Sequence, residues 1–310
     1  MIQRINMDFA KIRASLKLEE VEERYDIYFS RPFGYYLALT ADYFKITPNQ
    51  VSIISLLVGI IAGFLFYFQN NILIVFIACL LLTLAGLLDS ADGQLARMTG
   101  TSTDLGRKID AIIDTFVFAA VYFGGGFYFL FHGYSFIAIA VLGFGAGWAH
   151  SVKSSVYEFY KTEYLYYYFG TNDLKIPTVK EVTLNFKNNG FWPKLLFILE
   201  KDYISKQAFF VGRKPEVRKL FEMAAVTEKN RQFVQEYRNL NQPILSLWAW
   251  FGGTNMHRGA LMLFSLIGHM DYYFVFSIVT IFPIFLIRKK QVKSDKKLLE
   301  LFALGHKTNA

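Results

Sequence analysis

Uninterrupted apolar stretches alternate with polar ones along the chain. Six of the apolar stretches read as membrane spans, at roughly 51–68, 72–88, 112–131, 134–150, 244–267 and 272–287. Several fall short of the roughly 20 residues an upright helix needs, so the pattern requires polar flanks to be partly immersed. Ahead of the spans, Met1 to Tyr28 reads as a solvated helix, with Glu19-Glu20-Val21-Glu22-Glu23-Arg24 as an exposed face. Arg31-Pro32 breaks it. From Phe33 to Phe44, Tyr and Phe alternate with small and polar residues, as in a helix lying in the membrane interface with its rings at headgroup level. Between the fourth and fifth spans lies 151–243, too long for a structureless loop, with helices predicted at 194–211, 216–225 and 228–240 around Gly212 and Pro215.

The expected fold class is therefore all-α: a polytopic membrane protein of six transmembrane helices with an N-terminal interfacial helix and a cytoplasmic helical insert. The expected division is 1–49 cytoplasmic and interfacial, 50–150 transmembrane helices one to four, 151–243 insert, 244–290 transmembrane helices five and six, and 291–310 cytoplasmic tail.

Composition agrees with a membrane protein, since 54% of residues are hydrophobic, 18% are aromatic and the mean hydropathy is +0.29. The 33 Lys and Arg against 25 Asp and Glu act here first as a topology signal. The short connections at 69–71, 132–133 and 268–271 contain no Lys or Arg, whereas the N-terminal segment, 97–108, 151–243 and the Arg288-Lys289-Lys290 tail hold nearly all of them. Both termini are therefore expected in the cytoplasm. No zinc spacing or RNA-binding signature is present, so no nucleic-acid partner is expected. The charged opening lacks the apolar core of a signal peptide. Cys79 is the lone cysteine, lies in an apolar run and reads as packing.

Candidate chemistry gathers where spans two and three meet the cytoplasmic side. Asp89, Asp92, Asp110 and Asp114 stand at the edge of two apolar runs, where an uncompensated charge costs several kcal/mol. Asp89 and Asp92 are three apart and Asp110 and Asp114 four apart, so each pair projects from one helix face. The polar stretch after Arg97 reads as a tight connection folding one pair back on the other. Two facing acidic pairs make an oxygen-lined site for hard divalent cations, Mg²⁺ or Mn²⁺. Gly86 and Gly93, with Ala96, form a stripe of small residues beside the acids against which a flat ligand can press.

The full pattern is D-x-x-D-G-x-x-A-R-x8-G-x3-D-x3-D, and the chain fills every fixed position from Asp89 to Asp114. It resembles the CDP-alcohol phosphotransferases, integral membrane enzymes of phospholipid synthesis, and Thr47-Pro48-Asn49 resembles the segment leading into their first span. The resemblance extends through the six-span plan and leaves 151–243 uncovered. It implies that Asp89, Asp92, Asp110 and Asp114 hold two divalent ions, and that Asp114 is the catalytic base for the acceptor hydroxyl. It further implies that Asp89, Gly93, Ala96, Arg97 and Gly106 bind the cytidine nucleotide. The implied partners are a CDP-alcohol donor, a hydroxyl acceptor and membrane lipids, and many members are homodimers.

The narrower expectation is CDP-diacylglycerol as donor with inositol, inositol phosphate or glycerol phosphate as acceptor. Arg31-Pro32 ahead of Thr47-Pro48-Asn49 resembles the inositol-phosphate members. Arg258, inside the fifth span, and Lys153, after the fourth, are candidate ligands for an anionic acceptor. His150 and His257 read rather as cavity-wall residues, Trp248 and Trp250 as interface anchors, and Gly124-Gly125-Gly126 as close helix packing. The reversed arrangement, with CDP-choline or CDP-ethanolamine as donor and a lipid hydroxyl as acceptor, uses the same acids. A divalent-cation channel or transporter has no use for the nucleotide wall.

Overall fold

The structure is a computed structural model, and it describes residues 18–102, 104–169, 176–186, 190–213, 215–226 and 230–302. Those residues are helical throughout, without a strand, and fall into two compact units. The first comprises residues up to Ala149 together with Asn255–Val279, and the second comprises His150–Thr254 with the stretch from Thr280.

In the first unit, helix α1 (Arg31–Tyr43) has Pro32 in its opening turn, where a missing N–H costs nothing. It buries Gly34, Tyr35, Ala38 and Ala41 and leaves Phe33, Tyr36 and Tyr43 exposed, as an interfacial helix should. The chain then reverses at Lys45, which takes a positive φ of 57°. Helix α2 (Pro48–Leu65) starts from a capping box in which Thr47 and Gln50 satisfy each other's backbone N–H groups. Helix α3 (Ile72–Met98) is capped by the Asn71 side chain, and a turn through Gly100 leads toward α4 (Asp104–Phe131). Side chains at 104, 105 and 107–112 lie outside the described residues, among them Asp110.

Close backbone approach holds α2 to α4. A Cβ on Gly63 would collide with Ala120, and one on Gly124 with the Gly63 carbonyl. Small residues let helices meet in this way where lipid provides no hydrophobic drive. Gly125 likewise makes room for Met270, so the glycine run does serve packing. Cys79 is buried in the shared core with Phe66, Leu82, Val121 and Phe274.

The second unit contains the end of α5 (Phe136–Phe169), then α6 (Val179–Asn185), α7 (Phe191–Val211), α8 (Pro215–Val226) and α9 (Asn230–Gly252). Gly212 ends α7 in the left-handed region at φ 59° and Pro215 opens α8, as their positions in the sequence predict. Helices α10 (Thr254–Leu266) and α11 (Met270–Val279) return to the first unit, and α12 (Phe282–Leu301) belongs to the second. An ionic cluster lies inside the second unit. Arg213 forks onto Asp295 at 2.8 and 2.9 Å and also pairs with Glu163, which accepts from Tyr237 Oη at 2.8 Å. Burial alone would lower the Arg213 pKa, but Glu163 and Asp295 raise it well above the usual arginine value.

One expectation is left unconfirmed and another requires correction. First, among the described residues five helical stretches are long and apolar enough to cross a membrane, Pro48–Phe68, Ile72–Met98, Ile113–Phe131, Phe136–Phe169 and Met270–Leu301, and a sixth is not confirmed. The stretch expected as a span at 244–267 is interrupted at Gly252-Gly253, and the helix after the break has only 13 residues. Adjacent glycines are poor helix formers, and Gly252 packs where a Cβ would meet the Lys153 carbonyl and Tyr157. Second, Trp248 is not an interface anchor. It is 1% exposed and stacks on Tyr160 at 5.1 Å, whereas Trp250 is exposed.

Candidate functional site

The acidic stretch occupies the C-terminal third of α3, after an apolar run that packs against α2. Its residues meet three different surroundings, which follow from helical spacing. Asp92, 3% exposed, faces α2 and accepts a hydrogen bond from Ser52 Oγ at 2.6 Å. A bond of that length orients the carboxylate. Asp89 is half-buried and lies within electrostatic reach of Arg31. Ser90 and Gln94, between and after the acids, are buried against the chain around Arg31.

Asp114, on α4, is half-exposed and stands 4.0 Å from Nη2 of Arg258 on α10. Arg258 is itself nearly buried, and its guanidinium lies against Gly86, where a Cβ would strike it. Gly86 thus makes room for an arginine rather than for a flat ligand. Its partner in the expected stripe, Gly93, instead has Arg97 beside it, 3.5 Å from where a Cβ would sit. Ala96 and Gly106 are half-buried. Among the described residues Arg258 Nε, a buried donor, has no hydrogen-bond partner.

The predicted site residues are only partly drawn together. Asp114 joins Arg258 and Gly86, and Asp92 joins Ser52. Among the described residues no three of His, Cys, Asp or Glu stand close enough to hold a metal ion, the Asp110 side chain being outside that set. The donor chemistry nonetheless fits hard divalent cations, because the acids offer only carboxylate oxygens and Asp92 is already oriented by a neutral donor. Lys153 belongs to the second unit, where it is fully buried and donates to Thr280 Oγ1 at 2.5 Å. His257 is fully buried in the first unit with Nδ1 3.3 Å from Tyr273 Oη.

Sequence reasoning passed over Ser52, Ser90, Gln94 and Glu22. One signal was available: Ser52 and Ser55 interrupt an apolar span three apart, so they share a face. Both are buried, and Ser55 donates to the Ala85 carbonyl of α3 at 2.9 Å.

Residues 45–178 match the CDP-alcohol phosphatidyltransferase family. The chain is 42% identical over 79 residues to an archaetidylinositol phosphate synthase from Pyrococcus horikoshii, covering 26% of this chain and 40% of that protein. It is 34% identical over 73 residues to a bifunctional IPC transferase and DIPP synthase from Thermococcus kodakarensis, covering 24% of this chain and 16% of the relative. It is also 29% identical over 119 residues to an uncharacterized protein from Aquifex aeolicus, covering 36% and 58%. The chain thus spans less than two thirds of the length of each of these relatives.

Proposed function

We propose that the protein, whose residues 45–178 match the CDP-alcohol phosphatidyltransferase family, transfers a lipid-bearing phosphoryl group from a CDP-activated lipid alcohol to the hydroxyl of an inositol phosphate or a similar anionic polyol, releasing CMP. The observation that carries the acceptor assignment is Arg258. It is a nearly buried guanidinium 4.0 Å from Asp114, with an Nε that has no hydrogen-bond partner among the described residues. An anionic acceptor held by that fork has its hydroxyl beside the carboxylate that takes its proton. The archaetidylinositol phosphate synthase relative favours the same acceptor class.

The reaction follows from these positions. The acceptor oxygen forms a bond to the phosphorus bearing the lipid alcohol, the bond from that phosphorus to the CMP oxygen breaks, and the acceptor proton passes to Asp114. Asp89, Asp92, Asp110 and Asp114 would hold the divalent ions, Mg²⁺ or Mn²⁺. Bound cations supply charge neutralisation at the diphosphate and its leaving oxygen. Ser52 keeps Asp92 aimed, while Gly93, Ala96, Arg97 and Gly106 line the nucleotide side. The lipid donor enters from the bilayer, and the exposed aromatic face of α1 lies in the headgroup layer. The Lys and Arg distribution supports a cytoplasmic side for the acids and both termini.

The test is purified protein in lipid nanodiscs with Mg²⁺ or Mn²⁺, a panel of CDP-lipids and CDP-alcohols, and a panel of acceptors. CMP is measured together with the lipid product by mass spectrometry. Product from a CDP-lipid and an inositol phosphate is the expected result. Product only from CDP-choline or CDP-ethanolamine with a lipid hydroxyl would establish the reversed arrangement instead.

A further inference from the structure

The chain immediately upstream of the family-matched region is fastened onto the motif helix between its acids. Glu22, whose side chain is 1% exposed, takes the Arg31 guanidinium in a fork, at 3.0 and 2.9 Å from Nη2 and 3.3 Å from Nε. That leaves Arg31 Nη1 to donate to Ser90 Oγ at 3.3 Å. The return contact comes from the motif helix. Gln94 Nε2, fully buried, donates to the Arg31 carbonyl at 3.1 Å and to Ser90 Oγ at 3.2 Å. Gly34, one turn along α1, has no room for a Cβ because Ser90 and Gln94 occupy the space. A five-residue π-helical turn, Asp26–Ser30, leads directly into Arg31. Burial would lower the Arg31 pKa, but Glu22, with Asp26 and Asp89 acting in the same direction, leaves it raised.

Ser90 is the residue after Asp89, and neighbouring residues on a helix are rigidly linked at about 100° around the axis. A contact that fixes Ser90 therefore fixes the direction of Asp89 as well. We propose that Arg31, held by Glu22, is a positioning residue for the acidic site: it sets the rotation of α3 through Ser90 and Gln94, and so the placement of Asp89 toward a divalent cation. The inference rests on the reading of the acids as cation ligands, and it makes a segment outside the matched region part of the site.

Electrostatics and positioning can be separated, because Glu22 and Arg31 cancel in charge. The double variant Glu22→Gln with Arg31→Gln leaves the net charge near Asp89 unchanged, and Arg31→Lys keeps the cation but loses the fork. Full-length protein in detergent is titrated with Mn²⁺, and free Mn²⁺ is read by electron paramagnetic resonance alongside the unfolding midpoint of the metal-free protein. The expected result is Mn²⁺ binding weakened about ten-fold in both variants, the usual scale for loss of a group that orients a ligand. The metal-free midpoint of Arg31→Lys should stay close to that of the wild type. Wild-type Mn²⁺ affinity in both variants would overturn the positioning role while leaving the acids as ligands. Absence of Mn²⁺ binding in the wild type would instead overturn the cation reading itself. If the double variant does not fold, Arg31→Lys alone decides.

Discussion

Ser52 donates its hydroxyl to Asp92 across 2.6 Å, joining the first span to the motif helix through a bond buried from water. Replacing the serine removes a charge-assisted bond worth about 1.5–3 kcal/mol and leaves a buried carboxylate one donor short. Ser52→Ala should therefore raise the Mg²⁺ or Mn²⁺ concentration for half-maximal CMP release about ten-fold or more, with a smaller change at saturating metal. A metal titration of turnover checks this, and Ser52→Thr should restore most of the loss.

Gly86 and Arg258 are matched in size. A methyl at Gly86 must push the guanidinium away from its position beside Asp114. Gly86→Ala is expected to raise KM for an anionic acceptor several-fold while changing KM for the CDP-lipid little. Arg258→Lys, which keeps the charge but not the fork, should do the same more severely. Steady-state kinetics with each substrate varied in turn separates the two effects.

The motif was legible because aspartates stand out at the edge of apolar runs, and because the fixed spacing from Asp89 to Asp114 carries a family signature. Arg258 stood out for the same reason, as a cation within an apolar segment. Ser52 was hidden because a serine in a span is unremarkable until its neighbour is known. Glu22 and Arg31 were hidden because a charged run reads as a solvated face, whereas folding leaves the Glu22 side chain 1% exposed. The helix break at Gly252-Gly253, inside the expected fifth span, was hidden because hydropathy averages across it. Trp248 misled for a related reason, since indole is amphipathic and composition alone does not separate a buried ring stacked on Tyr160 from an interfacial one.

Arg213 is the keystone of the second unit, facing both Glu163 and Asp295. Arg213→Met would leave two buried carboxylates without their cation, a class of change that costs about 3–5 kcal/mol. A lower unfolding midpoint and loss of the folded protein on mild heating are expected. Replacing Glu163 and Asp295 by Gln and Asn in the same variant should recover part of it. Size-exclusion chromatography after a heating series reads both.

Gly63 and Gly124 set how closely α2 and α4 approach. Gly124→Leu has nowhere to place its side chain without parting the helices, and overpacking of this kind costs about 1–3 kcal/mol or more. The variant should unfold at a lower temperature than Gly126→Leu, since a Cβ at Gly126 meets only Ile139 at ordinary contact distance. Thermal unfolding in one detergent compares them directly.

Transfer from a CDP-activated lipid to an acceptor hydroxyl, with Asp114 taking the proton, is read out by the ratio of CMP to lipid product, and its rate, in wild type and in Asp114→Asn under saturating Mn²⁺. The wild type should release one CMP per phospholipid formed, and the rate should fall about 10²–10⁴-fold in Asp114→Asn, the usual range for a lost general base. Undiminished turnover in Asp114→Asn, or CMP released without a lipid product, would contradict it.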